Sequence, residues 1–400
     1  MIDISRKSWH KYFLFGSMYF SEGLQTSFAG VIIPIYLLDR GLSLPLATLV
    51  AGIGTAPWWL KFIFGSTTDY FCKFGRKPFI IIGGLLGASS LFVLIFIDPF
   101  VSLIPFALLL FLSNLGITYI DVTCDGWAIQ ISKKEERGKI NGAMTAGLST
   151  GMIVGTPLFA SIAQTYGYGI SFLAGGCIIL VIMIYPFLVR EVKILKERPK
   201  IASLLKEEFK IRTTQQVTLF SMIMGITSGL VIYVIPLYMK TILNLDIGQI
   251  GLIMTIYPIT LVIGSLFSGT MADRWGRKII LFIVISATIV CYPALLFANT
   301  WQIFTVIFGV CGFFDGGWGV GMGTLMMDVS NPKIGATQFS ILTSLYNFGE
   351  TGIGSISGSL VVSLGFGRMF LLSSWMSGPA LIILYFIRPK KNELQGVENG

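Results

Sequence analysis

The chain has 400 residues, of which 54% are hydrophobic and only 12% charged, with 46 glycines and a formal net charge of +9. Soluble domains carry about 25% charged residues, so this composition excludes a water-soluble core, a secreted disulfide scaffold and a disordered chain, and it places the protein in a membrane. In that setting the basic excess sets orientation and implies no nucleic-acid partner.

A bilayer core about 30 Å thick takes about 20 apolar residues per helix. The chain is polar as far as Lys11, and no small-residue cleavage site follows a short apolar core, so no signal peptide is expected. Twelve spans then follow in order, at residues 12–38, 44–66, 78–97, 100–131, 139–164, 168–189, 215–239, 247–270, 279–297, 300–329, 335–362 and 368–387. The uncharged run from Ile140 to Val189 is cut at Tyr166-Gly167-Tyr168-Gly169, and the run from Ile279 to Phe314 is cut at Asn299. With the N-terminus inside, 25 Lys and Arg fall on cytoplasmic segments against 3 outside (Arg40, Lys240 and Arg368), and Lys61 stays within a span. The positive-inside rule therefore puts both termini in the cytoplasm of a multi-pass protein of the cytoplasmic membrane.

The spans divide into an N-terminal six-helix half at residues 1–189 and a C-terminal six-helix half at 215–387, with a cytoplasmic tail at 388–400. Residues 190–214 form the linker, and the helical apolar spacing from Ile201 to Ile211 predicts a surface helix in it. Its charges read as a solvated stretch drawn to anionic headgroups. Cys72, Cys124, Cys177, Cys291 and Cys311 have no metal-ligand or redox spacing and read as small packing residues.

An internal repeat supports the division. Gly65-x3-Asp69 followed by Gly75-Arg76-Lys77 lies between spans two and three, and Gly269-x3-Asp273-Arg274-x-Gly276-Arg277-Lys278 lies between spans eight and nine. The glycines suit close helix approach, and an aspartate near a helix end suits a partner Arg or a helix N-terminus. Such contacts predict a gate on the cytoplasmic side.

The second copy resembles the loop signature of the major facilitator superfamily; the first departs from it, with three extra residues after Asp69 and no Arg following. Three further stretches resemble the superfamily branch of bacterial muropeptide permeases, acetyl-coenzyme A transporters and some siderophore permeases. They are Lys61-Phe62 ahead of Asp69; Asp121-x3-Asp125-Gly-Trp127 with Glu135-Glu136-Arg137-Gly138; and Gly321-Met-Gly-Thr with Gly335 to Leu345. The resemblance implies an all-helical integral membrane fold of twelve transmembrane helices in two pseudo-symmetric halves. In it spans one, four, seven and ten line a central cavity.

Ionisable residues at bilayer depth cost about 2.5–3.5 kcal/mol each on insertion scales, yet Glu22, Lys61, Asp121, Asp125, Asp315 and Glu350 all fall well inside spans. Asp121 and Asp125 share one helix face, and two carboxylates so placed repel, which suits one of them to carry a proton. Lys61 either pairs with that couple or meets an anionic substrate. Glu22 and Asp315 have no basic partner in their own spans, and Glu350 follows Asn347 and Gly349. Gly147-x3-Gly151-x3-Gly155-x-Pro157 is similar to an antiporter motif, with close helix packing the plainer reading. Trp58, Trp59, Trp127 and Trp318 offer stacking surfaces, and His10 reads as solvated.

These features predict a monomeric secondary transporter working by alternating access. The expected activity is proton-coupled import of a polar, anionic organic solute, with membrane lipids around the protein. No cofactor or metal is expected, because nothing in the sequence matches a nucleotide loop and a proton gradient supplies the energy. One alternative is a proton-driven efflux antiporter for drugs or metabolites. The other is a membrane-embedded enzyme, which the sole histidine makes unattractive.

Overall fold

The computed structural model describes residues 2–3, 8–71, 74–131, 134–191, 201–298, 300–331 and 334–387. Sixteen α-helices run in chain order: α1 (Ser8–Ser27), α2 (Ile33–Asp39), α3 (Leu44–Thr55), α4 (Lys61–Tyr70), α5 (Lys77–Leu94), α6 (Leu103–Ile131), α7 (Lys134–Tyr166) and α8 (Tyr168–Leu188) come first. After the linker come α9 (Ile201–Glu208), α10 (Arg212–Gly229), α11 (Val234–Thr241), α12 (Ile247–Trp275), α13 (Arg277–Ala294), α14 (Trp301–Val329), α15 (Gly335–Leu364) and α16 (Phe366–Phe386). Among the described residues, ten helical stretches are long and apolar enough to cross a membrane. The stretch from Ser8 to Asp39 and helix α15 fall outside these ten, since the first carries Lys11, Glu22 and Gln25 and the second is rich in Gly, Ser and Thr.

Three spans are broken, two of them at a proline. Pro34 has no N–H and crowds the carbonyl one turn back, and a π-turn over Phe28–Ile32 absorbs the mismatch between α1 and α2. Pro57 likewise ends α3 in a 3-10 turn, Ala56–Trp58, so that α4 begins at Lys61. Between α10 and α11 the chain makes a turn at 230–233. Helix α12 is started by Asp246, whose carboxylate accepts from the Gln249 N–H at 2.8 Å while the Gln249 side chain accepts from the Asp246 N–H at 3.1 Å.

Helices up to Leu188 pack among themselves, chiefly α1 on α7, α5 on α6 and α5 on α8; helices from Arg212 onward do the same through α12 on α14, α10 on α15 and α13 on α16. Gly147 and Gly151 lie directly against Gly16, Phe20 and Gly23, so the glycine row of α7 serves close approach to α1. The outer surface is apolar, with Phe96, Val101 and Phe297 exposed, while Ser, Thr and acidic side chains lie inside. That arrangement suits lipid outside and a polar interior.

The two sets of helices meet along α7 with α12 and along α3 with α15. The joint is tight at one end: Gly52 and Gly358 abut Ser355 and Leu44, and Gly251 abuts Ala160. Polar contacts add to the joint, one at that end, one holding Asp39 within the first set, and one deeper, where α3 stops. Lys240 Nζ lies 2.8 Å from Asp39 Oδ1, the Tyr168 hydroxyl donates to Asp39 Oδ2 at 2.5 Å, and the Thr55 and Tyr233 hydroxyls are 2.9 Å apart. At the opposite end a Cβ on Gly65 or Gly269 would meet no atom within 4 Å. The close approach expected at these two glycines is therefore not made in this structure.

The N-terminal residues Ile2–Asp3 form a parallel pair with Val189–Arg190 at the end of α8. In the linker the predicted surface helix is α9, which is anchored: the Asn331 amide donates to Glu208 Oε1 at 2.6 Å, tying α9 to the end of α14.

Candidate functional site

Four of the six deep ionisable residues come together within the first set of helices. Because Pro57 stops α3 at bilayer depth, Lys61 opens a new helix facing α6, and its ammonium donates to Asp121 Oδ2 at 2.9 Å. The two side chains are 14% and 3% exposed, so this is a buried ion pair. The Lys61 ammonium is also 5.9 Å from the centre of the Trp58 ring, and the Trp58 indole N–H donates to Asn114 at 3.1 Å. Asp125, one turn further along α6, accepts from the Tyr19 hydroxyl at 2.6 Å. Glu22, one turn from Tyr19 on α1, is within electrostatic reach of Asp121, Lys61 and Asp125. Its Oε2 is buried with no hydrogen-bond partner among the described residues. Three carboxylates thus share one ammonium, and the three differ: one ion-paired, one accepting from a phenol, one with an oxygen left over.

The other two acids lie in the second set and are held by neutral donors. Asp315 Oδ2 accepts from Tyr257 at 2.8 Å and from Tyr292 at 2.5 Å, and Oδ1 accepts from the Trp318 indole at 2.8 Å. Glu350 Oε1 accepts from Ser228 at 2.5 Å and Tyr346 at 3.0 Å. Glycines bring these groups together, since Gly225 and Gly229 let α10 lie on the α15 backbone at Tyr346 and Glu350.

The repeated loop residues act mostly within their own sets. Gly75 and Gly276 have φ of +93° and +91°, a region closed to most side chains, and each starts the following helix. Lys77 Nζ donates to the Phe187 and Val189 carbonyls at 2.5 and 2.9 Å, and Lys278 Nζ to those of Tyr385 and Ile387 at 2.5 and 3.0 Å. Both lysines thereby satisfy the free carbonyls at a helix C-terminus. Arg76 is buried, donates to Thr68 at 3.1 Å and packs against Gly126, whose missing side chain makes room for it. The Glu191 carboxylate accepts from the backbone N–H of Arg76 and of Lys77, the latter at 3.0 Å, an anion at a helix start. Arg277 pairs with Asp328 at 3.1 Å, while Arg274 is exposed. The side chains of Asp69 and Asp273, and those of Glu135 to Gly138, lie outside the described residues.

Of the remaining residues singled out in the sequence, Trp127 packs on Phe15 and Trp59 on Phe348, with ring centres 6.0 and 5.3 Å apart. His10 departs from its reading as solvated: its Nδ1 is 2.7 Å from the Tyr185 hydroxyl, and its ring lies 3.9 Å from that of Trp9. Cys124 and Cys311 are buried free thiols. Among the described residues no group of three His, Cys, Asp or Glu is placed to hold a metal ion. Sequence reading passed over Tyr19, Tyr257, Tyr292, Tyr346 and Ser228, the neutral donors that hold the acids. A scan for Tyr or Ser within spans that also hold acids would have found them.

A family model described as Major Facilitator Superfamily matches residues 15–220 and again 217–399. The chain therefore belongs to the major facilitator superfamily. Over 391 residues it is 22% identical to the anhydromuropeptide permease of Escherichia coli K12, covering 92% of this chain and 78% of that one. It is also 22% identical over 354 residues to sugar efflux transporter A of the same strain, covering 86% and 85%. Among solved structures, a nucleoside transporter superposes with a TM-score of 0.77 at 13% identity, covering 94% of this chain and 99% of that one. A D-xylose–proton symporter follows at 0.74 and 15%, covering 96% and 98%. The chain is thus a multi-pass membrane transporter of this superfamily, related to permeases, and its relatives are transporters and not enzymes.

Proposed function

We propose that the protein is a proton-coupled importer of a polar organic solute, with twelve crossings in two pseudo-symmetric halves at residues 1–189 and 215–387. The linker at 190–214, the tail at 388–400 and both termini lie in the cytoplasm, and one chain is the working unit. The helical stretches at 8–39 and 335–364 also have the length to cross, and their acids lie among other helices, Glu22 near Asp121 and Lys61 and Glu350 bonded to Ser228. The end joined by Asp39 and Lys240 is then the outer face, and the state described is closed to the outside.

The observation that carries the coupling is the buried, unpartnered oxygen of Glu22. Asp121 is committed to Lys61 and Asp125 to Tyr19, which leaves Glu22 as the group free to exchange a proton as the halves move. Commitment of Lys61 to Asp121 also removes the residue that suggested an anionic solute. A structural neighbour titled a proton symporter supports the same direction, whereas a relative named for sugar efflux supports the antiport reading.

Proteoliposomes of known orientation with an internal pH dye test the proposal. Neutral sugars, amino sugars, nucleosides and sugar-peptides are added outside in turn. Internal acidification by one solute class in the wild type, lost in Glu22→Gln while labelled solute still exchanges, is the expected result. Proton entry unchanged in Glu22→Gln overturns the assignment, and alkalinisation on solute addition replaces import by antiport.

A further inference from the structure

A small pocket opens in the second set of helices between α10, α13 and α14, lined by Met224 and by the polar groups of Thr227, Ser228, Thr288, Tyr292, Asp315 and Trp318. Its polarity looks mixed until each hydrogen is followed. The Thr227 hydroxyl donates to the Ile223 carbonyl at 3.1 Å and the Thr288 hydroxyl to the Ile285 carbonyl at 2.8 Å. Ser228 donates to Glu350 at 2.5 Å. Tyr292 and the Trp318 indole both donate to Asp315, at 2.5 and 2.8 Å. All five side-chain hydrogens of the lining are spent on partners of the protein, and the helical backbone N–H groups are spent along the helices.

What remains is acceptor capacity. A hydroxyl oxygen keeps lone pairs after donating, and a carboxylate has about four acceptor sites. Asp315 Oδ2 is filled by two phenols, while Oδ1 takes only the indole and retains a free site.

We infer that this pocket receives a hydrogen-bond donor group of the solute, a hydroxyl, amine or ammonium, and rejects carboxylate and phosphate groups. An anion would find no free hydrogen. Turning a threonine hydroxyl off its carbonyl would release one, but the anion would then lie beside Asp315, and drawing Tyr292 or Trp318 away would leave that buried carboxylate short of donors. A donor group meets the opposite situation, since Asp315 Oδ1 and the hydroxyl oxygens accept it with no bond of the protein broken. Within the transporter reading this fixes the polarity of the recognised group and excludes anion recognition at this point.

Trp318 reports on the pocket directly. The protein is labelled with 5-fluorotryptophan, the eight indole signals are resolved by 19F NMR, and the Trp318 signal is assigned with Trp318→Phe. Methylammonium chloride, methanol and sodium formate are then titrated separately at one ionic strength. The expected result is a saturable shift of the Trp318 signal with methylammonium, a weaker one with methanol and none with formate. The methylammonium response should weaken about tenfold or more in Asp315→Asn and severalfold in Ser228→Ala, the milder change that keeps the carboxylate cage. A formate response equal to that of methylammonium, or no saturable response to any of the three, overturns the inference. This reading involves no transport, so its failure leaves the importer proposal standing. An intact Trp318 response with no solute movement in the liposome assay removes the importer proposal alone.

Discussion

Removing the Lys61 ammonium is the sharpest perturbation the structure offers. Lys61→Met leaves Asp121, only 3% exposed, without its 2.9 Å partner and beside Asp125 and Glu22. Breaking a buried pair from one side costs about 3–5 kcal/mol, whereas replacing both members by neutral groups of similar size is often close to neutral. The structure also says which acid to neutralise. Lys61→Met with Asp121→Asn should recover most of the loss, to within about 1–2 kcal/mol of wild type. Lys61→Met with Asp125→Asn should recover little, because Asp125 is held by Tyr19 and Asp121 stays stranded. Unfolding of purified protein in graded denaturant, followed by tryptophan fluorescence in one detergent, ranks the four proteins. Equal rescue by both double variants, or wild-type stability of Lys61→Met alone, refutes the reasoning.

Three further outcomes follow from other contacts. Tyr19→Phe removes the phenol that donates to Asp125 and should cost about 1.5–3 kcal/mol in the same unfolding assay, the range for a hydrogen bond to a charged group. Gly151→Leu forces a side chain into the α1 backbone at Phe20 and Gly23; it should abolish monodisperse elution on size exclusion, while Gly142→Leu, at a glycine with no atom within 4 Å of an added Cβ, should not. Lys278→Met strips the α16 end of its donor and should raise backbone amide exchange at 384–387 by mass spectrometry, leaving the α8 end, served by Lys77, unchanged.

Much of the architecture was legible because its causes are local. Runs of apolar residues and the glycine cut at 167 report directly on helices and their order, and the duplicated Gly-Arg-Lys stretch lies at two equivalent helix starts, Gly75 and Gly276. The deep acids were legible too, since a carboxylate in an apolar run stands out. Their partners were not. Tyr19, Tyr257, Tyr292 and Ser228 are ordinary residues of a span until helix rotation aims them at Asp125, Asp315 or Glu350, and that rotation is set by packing between helices distant in sequence. The choice of Asp121 over Asp125 for Lys61 is of the same kind: both share one face of α6, and the break at Pro57 decides which one the lysine reaches. The contact of Asp39 with Lys240 joins residues 201 positions apart, and no local pattern marks it.

The central claim is that the two halves swing about the buried acids and open the end now closed by Asp39 and Lys240. Spin labels at Ser43 and Ser363, both exposed and near that end, just before α3 and at the end of α15, measure it directly by double electron–electron resonance in lipid nanodiscs on a cysteine-free background. The Asp39–Lys240 pair is about a third exposed and should contribute about 1 kcal/mol at most. The account therefore predicts two separations, a short one matching the closed structure and a longer one, with the longer population rising severalfold in Asp39→Asn and falling back in Asp39→Lys with Lys240→Asp. A single short separation in all three proteins would contradict alternating access at this end.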